Sequence, residues 1–344
     1  MHLPPQSVLE AYGLADADVS PLGTGNINHT FRVDTTNDSF VLQAISPTVF
    51  PNPAIIDCNL QRIREHLTRT APHYFLPLPL PNQTGATLTY DAHGTAWRLL
   101  PYVTQSTVYN VAPSAAHAYA AARAFAELSC LLSTLPVGAL ATPLPDFHNL
   151  SLRYEQYQRA LTVAPKERRQ TAEVVIRGLS EFEYIHTRYT KQLAEKCWQQ
   201  RIYHHDTKLN NILFKTDGPD VLAIIDLDTI MPGYAFSDVG DLVMFGCSVF
   251  EDETDHTKII INQENYDAII TGYRDGSGSA LTPTEQSLLP TAPLCMCYML
   301  ALRFLTDYLQ GETYFKTTYA GQNLDKAHNR LILLRALAAQ TERI

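Results

Sequence analysis

The stretch His204-His205-Asp206-Thr207-Lys208-Leu209-Asn210-Asn211-Ile212-Leu213-Phe214, followed by Ile224-Ile225-Asp226-Leu227-Asp228, is where this chain says most about itself. Ile212-Leu213-Phe214 and Val221 to Ile225 are short apolar runs joined by Lys215-Thr216-Asp217-Gly218-Pro219-Asp220, so the pattern predicts a β-hairpin. A hairpin draws its ends together, which sets Asn211, just before the first strand, beside Asp226, just after the second. Two oxygen ligands facing one point suit a hard cation such as Mg²⁺, which completes its shell with water and substrate phosphates. Asp206, five residues before Asn211, reaches the same place without being a ligand and is free to accept a proton from a hydroxyl. Plainer readings stand beside these: Asp226 and Asp228 as solvated carboxylates at a strand end, Lys208 as a surface charge. The His204-His205 pair is a poor metal candidate because adjacent side chains point in different directions.

On the N-terminal side, residues 1 to about 100 read as strands and turns with one helix. His29 to Val33 and Phe40 to Ile45 flank Thr35-Thr36-Asn37-Asp38, a turn signal, which puts Leu22-Gly23-Thr24-Gly25-Asn26 at the entry to a hairpin. Taken alone, Gly23-Thr24-Gly25 is only a turn signal. Pro53 opens a helical pattern with Ile55, Ile56, Leu60, Ile63 and Leu67 on one face. A further hairpin is expected from Thr87 to Tyr90 and Ala96 to Leu100. From about residue 113 helical patterns dominate, in Ala115 to Leu132 and Lys166 to Lys196.

The chain has 344 residues, 45% of them hydrophobic and 18% charged, which favours two domains and excludes both a stapled mini-domain and bulk disorder. Lys and Arg number 26 against 35 Asp and Glu, a net charge of −9, the wrong sign for a nucleic-acid partner. The six cysteines, at 58, 130, 197, 247, 295 and 297, match no zinc spacing and are expected as reduced, buried thiols of a cytoplasmic protein. The N-terminus lacks a basic region and an apolar run, so no secretory signal is expected. Leu288 to Leu302, interrupted by Pro290 and Pro293, is expected to be a buried helix and not a membrane span.

His204-x-Asp206-x-Lys208-x-x-Asn211 resembles the catalytic loop of protein kinases, aminoglycoside phosphotransferases and choline kinases, with Asp226 at the position of their metal-binding aspartate. The resemblance implies an α+β, two-lobed protein-kinase-like fold: an antiparallel-sheet lobe over residues 1–102 and a mainly helical lobe over 103–344, with ATP between them. It implies Asp206 as catalytic base, Lys208 neutralising the transferring phosphoryl group, and Asn211, Asp226 and Asp228 holding Mg²⁺. His204 and Asp238 brace the loop. Gly23, Thr24, Gly25, Asn26, Asn28 and Gln43 are placed at the nucleotide, as are Leu100 and Tyr102 of the hinge strand. One departure stands out: Gln43, in Phe40-Val41-Leu42-Gln43-Ala44-Ile45, occupies the position of the phosphate-binding lysine.

Only 11 residues separate Asp226 from Asp238, too few for a peptide-binding activation segment, which favours a small-molecule acceptor. Blocks from Val41-Leu42-Gln43 through Asp226-Leu227-Asp228-Thr229-Ile230-Met231-Pro232-Gly233 to Arg303-Phe304-Leu305-Thr306-Asp307-Tyr308-Leu309 resemble the N-acetylhexosamine 1-kinases, whose members also carry glutamine at the lysine position. The acceptor is then the anomeric hydroxyl of an N-acetylhexosamine, held by Asp206, Arg303, Asp307 and Tyr314. Arg303 and Asp307 lie four apart, on one helical face, which also suits a simple salt bridge. A kinase of another sugar, an aminoglycoside or a choline-like alcohol is the competing reading, and a catalytically silent nucleotide-binding relative the third.

Overall fold

The computed structural model of the protein describes residues 3–23 and 27–341. In chain order the first elements are α1 (Gln6–Ala11), β1 (Asp18–Pro21), β2 (His29–Asp34), β3 (Ser39–Ala44), α2 (Pro53–Thr70), β4 (Thr89–Tyr90), β5 (Ala96–Pro101) and β6 (Ser106–Thr107). The middle of the chain forms α3 (Ala115–Leu131), α4 (Leu150–Val163), α5 (Lys166–Thr171), α6 (Glu173–Ser180), α7 (Glu183–Ala194), β7 (Arg201–Tyr203), β8 (Ile212–Lys215), β9 (Val221–Ile224) and β10 (Met231–Gly233). The remainder is helical: α8 (Ala235–Gly246), α9 (Gln263–Ser277), α10 (Pro283–Leu288), α11 (Ala292–Gln310) and α12 (Gln322–Thr341). This is the α+β, kinase-like architecture.

The chain forms two compact units. The first comprises the residues up to Thr107 with Thr134–Pro145 and Leu213–Pro232. Its antiparallel sheet runs β1-β2-β3-β5-β4, with β2 and β3 in register from His29 opposite Ala44 to Asp34 opposite Ser39. The expected turn joins them, Thr35 N donating to Asp38 O at 2.8 Å. Alternation sends Phe31, Val33, Leu42, Ala44, Trp97 and Leu99 to one face, where they pack on Val8, Leu9 and Leu14. The same period of two leaves Thr30, Gln43 and Arg98 on the other face, adjacent across β2, β3 and β5. In α2 the proline occupies the first turn, where its missing N–H costs nothing, and Ile56, Leu60, Ile63 and Leu67 form the buried stripe. A second sheet, β6-β8-β9, contains the predicted hairpin, closed by Lys215 N donating to Asp220 O at 2.8 Å.

The second unit comprises Val108–Ser133, Asp146–Ile212 and the chain from Gly233 onward. Its α3 lies against α9 at backbone distance: a Cβ on Gly272 would fall 2.4 Å from Tyr119 O, and one on Gly276 would fall 2.3 Å from Arg123 O. Glycine four apart on one face permits that approach. The almost wholly buried α11 packs on α12, α8 and α4. As expected, the apolar run lies in a buried helix: the stretch Pro283–Gln310 is long and apolar enough to cross a membrane, but most of its apolar part is buried inside the protein, as in a core helix. Pro293 falls in the first turn of α11, where it does not interrupt the hydrogen-bond ladder.

Lys166 to Lys196, read as one helical pattern, is three helices. The mixed apolar spacing reflects separate faces: Val175, Gly178 and Leu179 are buried in α6, Ile185 and Tyr189 in α7, and none in α5. The cysteines also differ from expectation: Cys247, Cys295 and Cys297 are buried, but Cys130 and Cys197 are half-buried and Cys58 is exposed; all six are free thiols.

Candidate active site

In the second unit β7 delivers the chain into a loop that hydrogen bonds hold from below. Asp238, in the first turn of α8, accepts the backbone N–H of His205 at 2.8 Å and that of His204 at 3.2 Å, while the Thr207 hydroxyl donates to the Asp238 carbonyl at 2.6 Å. His205 adopts a left-handed backbone, φ 67°, and its ring lies so close to Gly233 that a Cβ there would come within 2.1 Å of Nε2. This bracing presents Asp206 outward. Its carboxylate pairs with Lys208 Nζ at 3.1 Å and accepts Asn211 Nδ2 at 3.1 Å; the same nitrogen donates to the Asp206 carbonyl at 2.8 Å. Asp206, Lys208 and Asn211 are thus brought together, with His204 and Asp238 beneath them.

The electrostatics of the loop follow from burial. Asp238 is fully buried, and desolvation pushes its carboxyl up to about 7 against the two amide donors that favour the charge. Burial would lower Lys208, but Asp206, Asp241 and Glu251 overrule it and hold the ammonium above its usual range. Asp241 was not among the sequence candidates. It is buried one turn beyond Asp238, its Oδ2 has no partner among the described residues, and burial together with Asp206 raises its carboxyl. The available signal was its presence, three residues after Asp238, in an otherwise apolar helix.

The first unit holds Asp226 and Asp228, and it treats them differently. Asp226 is exposed and left-handed, φ 58° and ψ 59°, whereas Asp228 is 2% exposed. Asp228, expected as a metal ligand, instead pairs through Oδ1 with Arg98 Nη1 at 2.5 Å and accepts Asn28 Nδ2 through Oδ2 at 2.9 Å. Asn28, expected at the nucleotide, has its other amide atom bound to Ser46 N at 3.0 Å. Gln43 is likewise committed within the protein: Oε1 accepts Arg98 Nε and Nη2 at 3.0 and 2.8 Å, and Nε2 donates to Thr30 Oγ1 at 3.1 Å. Leu100 lies in β5 opposite Val41. The backbone N–H of Tyr102 donates to Ser39 O at 3.3 Å, and its ring lies under Arg32, 4.4 Å from the guanidinium, so that amide is not available to an adenine. Gly23 has φ 73°; Thr24, Gly25 and Asn26 lie outside the described residues.

Of the acceptor candidates, Asp307 departs most from expectation. Its two oxygens accept the backbone N–H groups of Thr313, Tyr314 and Phe315 at 2.8 to 3.0 Å and Asn323 Nδ2 at 2.8 Å. Four donors fill a carboxylate, so Asp307 holds a loop and has no capacity for a sugar. That loop surrounds Arg303, whose guanidinium lies 5.4 Å from the Phe315 ring, 5.8 Å from Tyr314 and 5.9 Å from Phe147, without a carboxylate partner among the described residues. Burial first, then the nearby Arg153, lowers its pKa. Tyr314 is exposed. His148, stacked on Phe147 at 4.3 Å, is held well below its usual pKa by burial and by His205, Arg303, Arg153 and Lys208.

Taken separately, each unit offers an oxygen donor of the kind a hard divalent cation takes. Asn211 turns its amide nitrogen to Asp206, leaving Oδ1 as the atom that can bind a metal, and Asp226 offers an exposed carboxylate. The fold also has solved counterparts. A microcompartment-associated aminopropanol kinase shares 16% identity over 97% of each chain with a TM-score of 0.63. An amicoumacin kinase solved with AMP-PNP, Ca²⁺ and Ami shares 11% identity over 98% of this chain and 92% of its own, TM-score 0.62. An aminoglycoside phosphotransferase from Alicyclobacillus acidocaldarius shares 14% identity over 100% of this chain and 98% of its own, TM-score 0.63. At such identities the likeness speaks to fold. The sequence profile of the phosphotransferase enzyme family, however, matches residues 18–269, a run that takes in the loop at Asp206, the hairpin and Asp226. With well over half of its length matched, the chain belongs to that phosphotransferase family.

Proposed function

We propose that the protein transfers the γ-phosphoryl group of ATP to a hydroxyl of a small neutral acceptor, namely the anomeric hydroxyl of an N-acetylhexosamine, giving ADP and the sugar 1-phosphate. The observation that carries the reaction type is the Asp206 carboxylate, held by Lys208 and Asn211 at 3.1 Å each on a loop braced by Asp238. Asp206 accepts the proton as the acceptor oxygen bonds to phosphorus and the bond to the β-phosphate oxygen breaks. Lys208, kept charged by its acidic neighbours, offsets the negative charge of the transferring group. A divalent cation, for which the family resemblance names Asn211 and Asp226 as ligands, would neutralise phosphate charge.

The acceptor reading rests on the blocks shared with N-acetylhexosamine 1-kinases and on Arg303. A guanidinium ringed by Phe147, Tyr314 and Phe315 suits a carbonyl oxygen beside an apolar ring face. A polycationic aminoglycoside fits less well, because Arg153 and Arg303 already repel one another here. The test is incubation with ATP, Mg²⁺ and N-acetylglucosamine or N-acetylgalactosamine, with the phosphate located by ³¹P–¹H correlation. Phosphate on the 6-hydroxyl, or turnover only with amino alcohols or aminoglycosides, rejects the acceptor and keeps the kinase.

A further inference from the structure

We propose that Arg98 is the positioning residue of the Asp226–Asp228 turn, and that Gln43 is the neutral acceptor Arg98 requires, not a degraded phosphate-binding lysine. The inference rests on the reading of Asp226 as a ligand of the nucleotide's metal.

Three strands contribute to the device. Thr30 on β2, Gln43 on β3 and Arg98 on β5 are successive register partners, so their side chains stand in a row on one face of the sheet. Hydrogen bonds follow the row: Gln43 donates to Thr30 and accepts twice from Arg98 through one oxygen. The guanidinium, planar and with its donors fixed in a fork, directs its Nη1 to Asp228 at 2.5 Å. Asn28 takes the other Asp228 oxygen, and Ser46 N takes Asn28, which returns the network to the ends of β2 and β3.

The placement decides what this pair does. Arg98 is 3% and Asp228 2% exposed, so each charge has lost its water and depends on the other. Asp226, two residues before Asp228, is exposed and left-handed, a backbone state that aspartate reaches more readily than most residues yet still at a cost its surroundings must offset. Fixing Asp228 to the sheet holds the turn in that state. Gln43 then has a definite requirement: the residue opposite Arg98 must accept hydrogen bonds and carry no positive charge. A lysine would remove the acceptor and set an ammonium against the guanidinium.

The experiment titrates Mg²⁺ against binding of AMP-PNP by calorimetry, beside thermal unfolding, for the wild-type protein and for Arg98→Met, Arg98→Lys, Gln43→Ala and Gln43→Lys. Arg98→Met is expected to raise the Mg²⁺ needed for half-maximal binding about tenfold or more, with Arg98→Lys recovering part of the loss. Gln43→Lys tests the idea without emptying the pair, and is expected to bind less well than Gln43→Ala. Folded Arg98→Met with the Mg²⁺ dependence of the wild type overturns the positioning role, and Gln43→Lys binding more tightly than wild type overturns the role of Gln43. Should Arg98→Met not fold, the order of the two Gln43 variants decides. Wild-type protein that binds no AMP-PNP at any Mg²⁺ concentration overturns the metal reading itself along with this inference.

Discussion

Asp226 and Asp228 are separated by one residue and have opposite characters, one exposed and the other buried against Arg98. Removing the second leaves a guanidinium in the interior without its counter-charge, a loss of about 3–5 kcal/mol in comparable buried pairs. Asp228→Ala should therefore lower stability by that order in thermal or urea unfolding. Asp226→Ala should cost less, about 1 kcal/mol, chiefly because alanine tolerates the left-handed backbone less well than aspartate, and should act on the Mg²⁺ requirement. Equal unfolding curves for the two variants would refute the distinction. Asp206→Asn, which keeps shape and removes the proposed base, should lower kcat by about 10² or more while AMP-PNP binding persists. Near-wild-type turnover would mean that the proton goes elsewhere.

The loop carrying Asp206 has its conformation set by α8, through the contact of Asp238 with two successive amides. Because burial raises the Asp238 carboxyl to about 7, the native protein holds a proton there that the unfolded chain, with an ordinary value of about 3.9, releases earlier. This contribution to stability is full below about 3.9 and is lost as pH rises through 7. The melting temperature should accordingly fall between about pH 4 and 7, and Asp238→Asn should flatten that slope; an unchanged slope would locate the titration in another group. The loop of Thr313 to Phe315 depends in the same manner on Asp307. Asp307→Asn replaces an acceptor oxygen with a donor facing N–H groups, and is expected to raise the acceptor KM several-fold while nucleotide binding holds. That outcome would distinguish a loop anchor from an ordinary core residue, whose loss would appear in unfolding alone.

Nucleotide binding provides a check at the scale of the whole chain. A ligand that binds only the native state stabilises it by mass action, about 2.7 kcal/mol at a hundredfold excess over Kd, so AMP-PNP should shift thermal unfolding upward with Mg²⁺ and less without it. No shift under either condition would remove the nucleotide from the proposed function. Much of what this protein is was legible in the sequence alone. The turn at Thr35 to Asp38, the hairpin after Asn211, the helix from Pro53 and the spacing of Asp206, Lys208 and Asn211 are local, because turn chemistry and periods of two or 3.6 are set within a few residues. What the sequence by itself did not determine is which polar side chains remain open to a ligand. Asn28 meets Asp228 across 200 positions, Arg98 meets Gln43 across 55, and Asp307 meets Asn323 across 16. Sheet register and burial chose those partners, since a desolvated charge takes whatever donor the packing sets beside it. The tertiary structure therefore decided that Asp228, Asn28, Gln43 and Asp307 hold the protein together, while the spacing of the loop had already marked Asp206.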